Sequence, residues 1–379
     1  MASRDEGKIR RVALLIGHLG LGGAQRQLCL LAERLRDRGI EVHVLVLSRG
    51  GPHEEDLRAT GIDVHHLGFS RGSRGPALLV RNLVAFARMV ALLKELRPQV
   101  LHGFLWECYL LGTPAARLAQ VPVIVTARRT QGYLRPKKPW TSAAERMVNA
   151  MSDHVVANSA AIADGTRAVE GVPAHKVSVI YNGLPPSAFH LAEPEPVDTA
   201  LPVVVCVARL SENKGQRFLI EAAALLARRN RPCTFLLVGD GPERERLRAQ
   251  ADAAGVDVRF LGFRQDTDGL LARADVVVLP STAEGLSNAV MEAMAAGRPV
   301  VATAVGGTPE LLEDRGVLVA PSSPQALADA IGRLLDDPVL AASVGAAARA
   351  WAWQNLDVET VTDAHLDLYQ RLLAARCAR

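Results

Sequence analysis

Two acids eight positions apart, Glu284 and Glu292, frame the stretch of this chain best equipped for chemistry. An apolar run, Val276 to Leu279, ends at Pro280 and is followed by Ser281-Thr-Ala-Glu284-Gly285-Leu286-Ser287-Asn288-Ala-Val-Met-Glu292. The pattern predicts a strand, a turn and a helix. Glu284 then falls at the carboxyl end of the strand, where open α/β sheets bind their ligands. Ser287 or Asn288 can cap the helix, and the amides of Gly285, Leu286 and Ser287 then point outward as an anion site. Glu292 sits about one turn into that helix, where a carboxylate can accept two hydrogen bonds from a vicinal diol such as a ribose. Singly, Glu292 reads as a solvated helix acid and Glu284 as a complement to the helix dipole. Their joint placement at one turn favours function.

The cations that such an anion would need stand in the loop after another apolar run, Val207-Ala208-Arg209-Leu-Ser-Glu-Asn-Lys214-Gly215. Arg209 offers a planar fork and Lys214 a point charge, both suited to phosphate oxygens. Gly239-Asp240-Gly241 ends a further run and permits close backbone approach. Near the start, Gly17-His-Leu-Gly20-Leu-Gly22-Gly23 precedes a helical pattern, a second candidate phosphate turn. Its spacing is not G-x-G-x-x-G, and Val46-Leu47-Ser48-Arg49 lacks the acid that a nicotinamide ribose needs.

Other chemistries are excluded or discounted. Asp266-Thr-Asp268 has a metal-chelating D-x-D spacing, but it directly precedes the helical pattern Leu270, Leu271, Ala274 and reads as capping. His18, His102 and His154 are dispersed and no H-E-x-x-H occurs, so no metal site is expected. There is no G-x-S-x-G elbow. Five scattered cysteines without a C-x-x-C pair exclude a disulfide framework and a zinc ribbon.

These residues need strands to present them. Apolar runs alternate with Ala/Leu/Arg-rich segments: Val12–Ile16, Val42–Leu47, Val100–Leu101, Val121–Thr126, His154–Ala157 and Val177–Ile180 form one series. Val203–Ala208, Thr234–Val238, Val258–Leu261, Asp275–Leu279, Val300–Thr303 and Val317–Val319 form another. Runs such as Val-Val-Val-Cys-Val are apolar on both faces, as parallel strands covered by crossover helices must be. The fold class is α/β, twice over. A chain of 379 residues exceeds the size at which single cores stop growing, roughly 250 to 300 residues. Five prolines between Asn182 and Pro202 mark the break. The expected division is a domain at 1–183, a Pro-rich hinge at 184–200 and a second domain at 201–356.

Composition narrows the setting. At 49% hydrophobic and 22% charged the chain is globular rather than disordered. The apolar run after the acid-bearing N-terminus is too short for a signal peptide, and no stretch reaches ~20 uncharged apolar residues, so a cytoplasmic protein is expected. Net charge is only +4, yet between Val64 and Ala144 twelve Lys/Arg face two acids, Glu95 and Glu107. Arg128, Arg129, Arg135, Lys137 and Lys138, interleaved with Tyr133 and Trp140, suit an anionic lipid surface at about 1 kcal/mol per basic residue. No nucleic-acid-binding module accompanies the charge.

Six pieces in order make the chain recognisable. Gly-Gly-Ala-Gln-Arg-Gln near the start, Tyr181-Asn182-Gly183, Ala208-Arg209-Leu with Lys214-Gly215, Gly239-Asp240-Gly241-Pro242-Glu243, Phe260-Leu261-Gly262-Phe263, and E-x7-E from Glu284 to Glu292 together resemble the family 4 retaining glycosyltransferases. The resemblance covers nearly the whole chain. It implies a GT-B fold, two Rossmann-like doubly wound domains facing a cleft, and a helix from about Asp357 to the end (357–379) that crosses back to the N-terminal domain. It further implies a nucleotide-diphosphate sugar as donor substrate, with no cofactor and no metal required. On matching positions, Arg209 and Lys214 would bind the diphosphate and Glu292 the ribose. Glu284, Gly285, Leu286 and Ser287 would hold the sugar and phosphate, with Gly239 beside them, Gly262 and Phe263 beside the base, and Gly22 and Gly23 closing from the other domain.

Glu284, Arg209 and Lys214 are thus the expected catalytic residues. Many members carry a histidine where this chain reads Ala127-Arg128-Arg129-Thr130, so Arg128 is a candidate for an electrostatic role there, with Arg129 and His102 on the acceptor side. The acceptor expected from the basic segment is lipid-linked or a glycan, met at the inner face of the cytoplasmic membrane in surface polysaccharide or glycolipid assembly. The competing readings are an epimerase or hydrolase of sugar nucleotides on the same fold, and a non-catalytic nucleotide-binding regulator.

Overall fold

The computed structural model describes residues 8–48, 50–70, 75–130 and 139–378. They divide into two compact units, one of residues 1–183 with Val358–Arg379 and the other of Leu184–Asp357.

In the first unit seven parallel strands run β1 (Arg11–Ile16), β2 (Glu41–Val46), β3 (Asp63–His66), β4 (Val100–Phe104), β5 (Val123–Arg128), β6 (His154–Ala157) and β7 (Val177–Val179). Their spatial order is β3-β2-β1-β4-β5-β6-β7. The double burial expected of such strands is explicit in β1. Val12, Leu14 and Ile16 enter a core with Leu28, Leu31 and Leu35 of α1 (Gly23–Asp37), while Ala13 and Leu15 enter a core on the opposite face with Met89, Leu93 and Ala115. The final helix, α14 (Val358–Cys377), completes the first of these cores through Val361, Leu368, Tyr369 and Leu373.

One strand escaped the sequence reading. β3 has an exposed, half-buried and buried alternation and only Val64 as a buried apolar residue, because it is an edge strand and needs little hydrophobic cover.

Helix α3 (Pro76–Leu96) is largely apolar, although it carries Arg81, Arg88, Lys94 and Glu95. It is 21 residues long and apolar enough, by length and composition, to cross a membrane. It nonetheless packs Met89 and Leu93 into the sheet's core, and along its first turns it leaves Leu79, Val80, Leu83 and Val84 exposed.

The second unit holds six parallel strands, β8 (Val203–Val207), β9 (Thr234–Val238), β10 (Val258–Gly262), β11 (Val276–Leu279), β12 (Val300–Thr303) and β13 (Val317–Val319), in the order β10-β9-β8-β11-β12-β13. The chain therefore leaves β8 toward one edge, returns, and continues from β11 toward the other, with the switch point between β8 and β11. The Pro-rich segment belongs to this unit. Glu195 accepts both arms of the Arg264 guanidinium at 2.9 Å, and its amide donates to the Gly269 carbonyl at 2.9 Å, so this part is docked rather than a free connector.

Candidate active site

The loops that follow β8 and β11 carry the predicted charges, and the switch point sets them side by side. After β8, a single 3-10 turn, Glu212–Lys214, leads to Gly215. Gly215 has φ +68°, and a Cβ there would lie 2.1 Å from the Pro280 carbonyl oxygen at the end of β11. Only glycine lets the two loops touch. The Thr282 amide donates to the Asn213 carbonyl at 2.9 Å and fastens them.

Lys214 and Glu284, seventy residues apart in sequence, are thereby joined: Nζ donates to Oε1 at 2.5 Å. Ser281 Oγ donates to the same oxygen at 2.7 Å. The Glu284 side chain is only 8% exposed, and Lys214 remains 22% exposed. A largely buried carboxylate is thus held by one ammonium and one hydroxyl, and an entering anion could compete for the ammonium.

Beyond Glu284 the chain enters α10 (Asn288–Ala295), which Ser287 caps by accepting from the Val290 amide at 3.4 Å. Of the two predicted caps, Ser287 is the one used. Gly306, φ +55°, closes the loop after β12 onto this turn, where a Cβ would lie 2.2 Å from the Glu284 carbonyl oxygen. The Gly307 amide donates to the Gly285 carbonyl at 2.8 Å. Gly239 lies against Ala208 and Gly241 against Leu210, while the Gly239 amide bonds the Gly262 carbonyl at 2.7 Å. Arg209 is exposed, and so is Phe263, at 54%. Glu292 stands in the second turn of α10 and lines a pocket with His190, Asp268 and Arg298. Sequence reasoning missed Ser281 and Gly306; the only signals were a hydroxyl three residues before Glu284 and the Gly306-Gly307 pair.

The D-x-D segment is divided between two tasks. Asp266 faces the Arg264 guanidinium at 3.2 Å, which holds its carboxyl below the usual range, and Asp268 opens α9 (Asp268–Arg273). The helix is capped by Thr267 without a side-chain bond, so side-chain capping by these acids is corrected to ion pairing and first-turn placement.

In the first unit, Gly22 precedes the uncapped N-terminus of α1, and Gly22 and Gly23 are exposed, after the carboxyl end of β1. The acceptor-side residues are placed differently from expectation. Arg128 is buried: its Nε donates to Glu170 at 3.0 Å, its Nη1 to Thr126 at 3.1 Å and its Nη2 to Asn149 at 2.7 Å, over the Tyr109 ring. Every part of the guanidinium is thus engaged by protein, which removes Arg128 from both the catalytic and the lipid-facing roles.

Arg129 is buried over Phe104, donates to Asn182 at 2.5 Å, and is pushed down to about 10 by burial. It cannot face a lipid surface either. His102 is fully buried, with Nδ1 2.6 Å from the Tyr369 hydroxyl, and burial next to His365 and Arg129 holds it well below the usual imidazole range. It ties β4 to α14 and meets no surface. Tyr133, Arg135, Lys137 and Lys138 lie outside the described residues.

Comparison with known proteins agrees with this geometry. A profile described as "Glycosyltransferase Family 4" matches residues 21–188, and one described as "Glycosyl transferases group 1" matches residues 201–337. A 2-deoxystreptamine glucosyltransferase of Streptomyces kanamyceticus is 31% identical over 297 residues, 72% of this chain and 76% of that one. A GDP-mannose-dependent alpha-(1-6)-phosphatidylinositol monomannoside mannosyltransferase of Mycolicibacterium smegmatis is 38% identical over 167 residues, 41% of this chain and 44% of that one. Among solved structures, Anabaena Alr3699/HepE in complex with UDP superposes with a TM-score of 0.79 at 28% identity, covering 95% of this chain and 99% of that one. The same protein in complex with UDP-glucose gives 0.78 at 27% identity, covering 96% and 99%.

Proposed function

Given that the chain belongs to the family 4 glycosyltransferases, with their two-domain Rossmann-like GT-B fold, we propose that it moves a hexosyl unit, with retention, from a nucleotide-diphosphate sugar to a hydroxyl of a lipid-linked or glycan acceptor. The observation that carries this reading is the Lys214–Glu284 pair at the switch point of the second sheet, beside the N-terminus of α10. Breaking the anomeric C–O bond gathers negative charge on the departing diphosphate. Arg209, Lys214 and the amides of Gly285 to Ser287 stabilise this added charge more than the charge the diphosphate already carries in the ground state, which is what lowers a barrier. Incoming phosphate takes the ammonium from Glu284, freeing the carboxylate to accept from sugar hydroxyls. Phe263 offers an open aromatic face to the base, and Glu292 accepts from the ribose. The leaving phosphate takes the acceptor's proton on the same face. These steps call on no metal, since Arg209, Lys214 and the amides of Gly285 to Ser287 meet the charge.

Purified protein given UDP-glucose or GDP-mannose tests this. Release of nucleotide diphosphate that depends on an acceptor lipid extract, with an α-linked product by NMR, is expected. A β-linked product overturns retention; acceptor-independent hydrolysis or epimerisation overturns transfer; tight binding without release favours the regulator.

Membrane contact is also part of this proposal, moved from the buried arginines to α3. Leu79, Val80, Leu83 and Val84 are 63%, 58%, 60% and 45% exposed, with Arg81 and Arg88 also exposed on the helix. An apolar stripe flanked by basic residues suits burial at a headgroup boundary. Leu79→Ser with Leu83→Ser should reduce co-flotation with phosphatidylglycerol vesicles by about tenfold or more, at about 25 cal/mol per Å² of apolar surface withdrawn. Unchanged flotation would rule out α3 as the contact.

A further inference from the structure

The edge pair of the first sheet carries a cluster that sugar transfer does not use. Glu41 and His43 alternate along β2, and Asp63 and His65 alternate along β3. Parallel pairing sets His43 directly opposite Asp63. With a side-chain period of two, all four residues project from one face of the sheet, so the ladder itself gathers them.

The spacing is that of a chelate. His43 Nδ1 lies 3.3 Å from His65 Nε2 and 3.6 Å from Asp63 Oδ2, and the three ligand atoms all lie within 4.8 Å of one another. His43 Nε2 lies 3.0 Å from Glu41 Oε1. A carboxylate there holds the ring proton on Nε2, which leaves the Nδ1 lone pair facing His65 and Asp63. Glu41 is fixed in turn by Arg11 at 2.6 Å. The buried His43 is the rigid member, and the exposed Asp63 is the one that can rotate to close the set.

We propose that His43 Nδ1, His65 Nε2 and the Asp63 carboxylate bind one divalent zinc-class ion, with Glu41 as the hydrogen-bonded support of His43 and water in the fourth position. Ligand atoms about 2.0–2.1 Å from a tetrahedral ion stand about 3.3–3.4 Å apart, whereas cis ligands of an octahedral magnesium at similar distance stand about 3.0 Å apart. The two separations, 3.3 and 3.6 Å, lie nearer the tetrahedral case, and two imidazoles with one carboxylate suit zinc better than magnesium or calcium. The site lies on the edge pair of the first unit's sheet, while the transfer chemistry belongs to the switch point of the second unit's sheet. The ion therefore clips β3 to β2 and takes no part in catalysis, so the metal-independent reaction and a metal-binding protein are compatible.

The sequence reading overlooked this site because it searched for a local metal motif. The signal was the pair of alternations Glu41-x-His43 and Asp63-x-His65, which only strand pairing joins.

The full chain, stripped with chelator, is titrated with zinc chloride by calorimetry and with cobalt chloride by visible absorption. One saturable equivalent, a raised melting temperature and the intense visible bands of four-coordinate cobalt are expected. His65→Gln and Asp63→Asn should each weaken binding by about tenfold or more, with far-UV circular dichroism and UDP-glucose binding unchanged. No saturable zinc binding by the wild-type chain overturns the proposal. So does undiminished binding in both variants, which would place the ion elsewhere, or the weak spectrum of six-coordinate cobalt. Because none of these readouts is turnover, failure here leaves the transferase reading untouched.

Discussion

Lys214→Ala should lower kcat by about 100- to 1,000-fold, the loss seen when one preorganised donor to a developing anion is removed. Lys214 stands at the switch point, and its ammonium is the only side-chain cation that the described residues place on Glu284. Charge on the diphosphate grows as the glycosidic bond breaks, so the effect belongs mainly to kcat and less to KM. A second consequence follows from packing. Glu284 is 8% exposed, and without Lys214 its carboxylate keeps only the Ser281 hydroxyl as a side-chain partner among the described residues, so it is less firmly oriented for the sugar. Lys214→Arg keeps the charge but not the compact reach and should recover only part of the activity. Steady-state kinetics with saturating acceptor decide the matter: turnover within about twofold of wild type in Lys214→Ala would remove this residue from the mechanism and, with it, the electrostatic account.

Glu170→Ala should cost about 3–5 kcal/mol of folding stability, the penalty for stranding a buried charge. Arg128 and Glu170 have side chains only 5% exposed each and meet at 3.0 Å, and Asn149 bonds both of them. Glu170 is the last residue of α6 (Ala160–Glu170), and Arg128 the last of β5, so the pair ties that helix to the sheet. Removing the carboxylate leaves a guanidinium stacked on Tyr109 with Thr126 and Asn149 as its remaining partners. The companion Arg128→Met/Glu170→Leu replaces both charges with apolar groups and should regain most of the loss, because no ion is then left unpaired. Urea unfolding of the three proteins tests both statements. A single-variant loss below about 1 kcal/mol would show that water reaches the pair, as at a surface ion pair.

The contrast between these two basic residues explains what composition could and could not convey. Arg128 and Arg129 belong to the most basic stretch of the chain, and by charge alone they read as a surface facing anionic lipid or an acceptor. Their neighbours decide otherwise: Glu170, Asn149 and Asn182 lie 21 to 53 residues away in sequence and meet the two guanidiniums inside the unit. His102 fared the same way, since its partner Tyr369 is 267 residues distant. Lys214 and Glu284 were both singled out by local signals, a strand-end loop and a helix-capping turn, yet nothing local says that they touch.

By itself the sequence determined what depends on short-range pattern. Strands apolar on both faces specify parallel sheets between helices, and the turns after β8, β9 and β11 were identified by their glycines and charges. The proline-rich break near residue 184 separated two chains' worth of core. Each of these is a statement about neighbours a few residues apart, where steric limits and burial act directly. Tertiary structure alone decided which charges meet. Strand order puts β8 beside β11 and β2 beside β3, and that order follows from how helices pack over the whole sheet rather than from any local run. For that reason the Lys214–Glu284 pair, the buried Arg128–Glu170 bridge and the His43–Asp63–His65 cluster became visible only once the sheets were assembled.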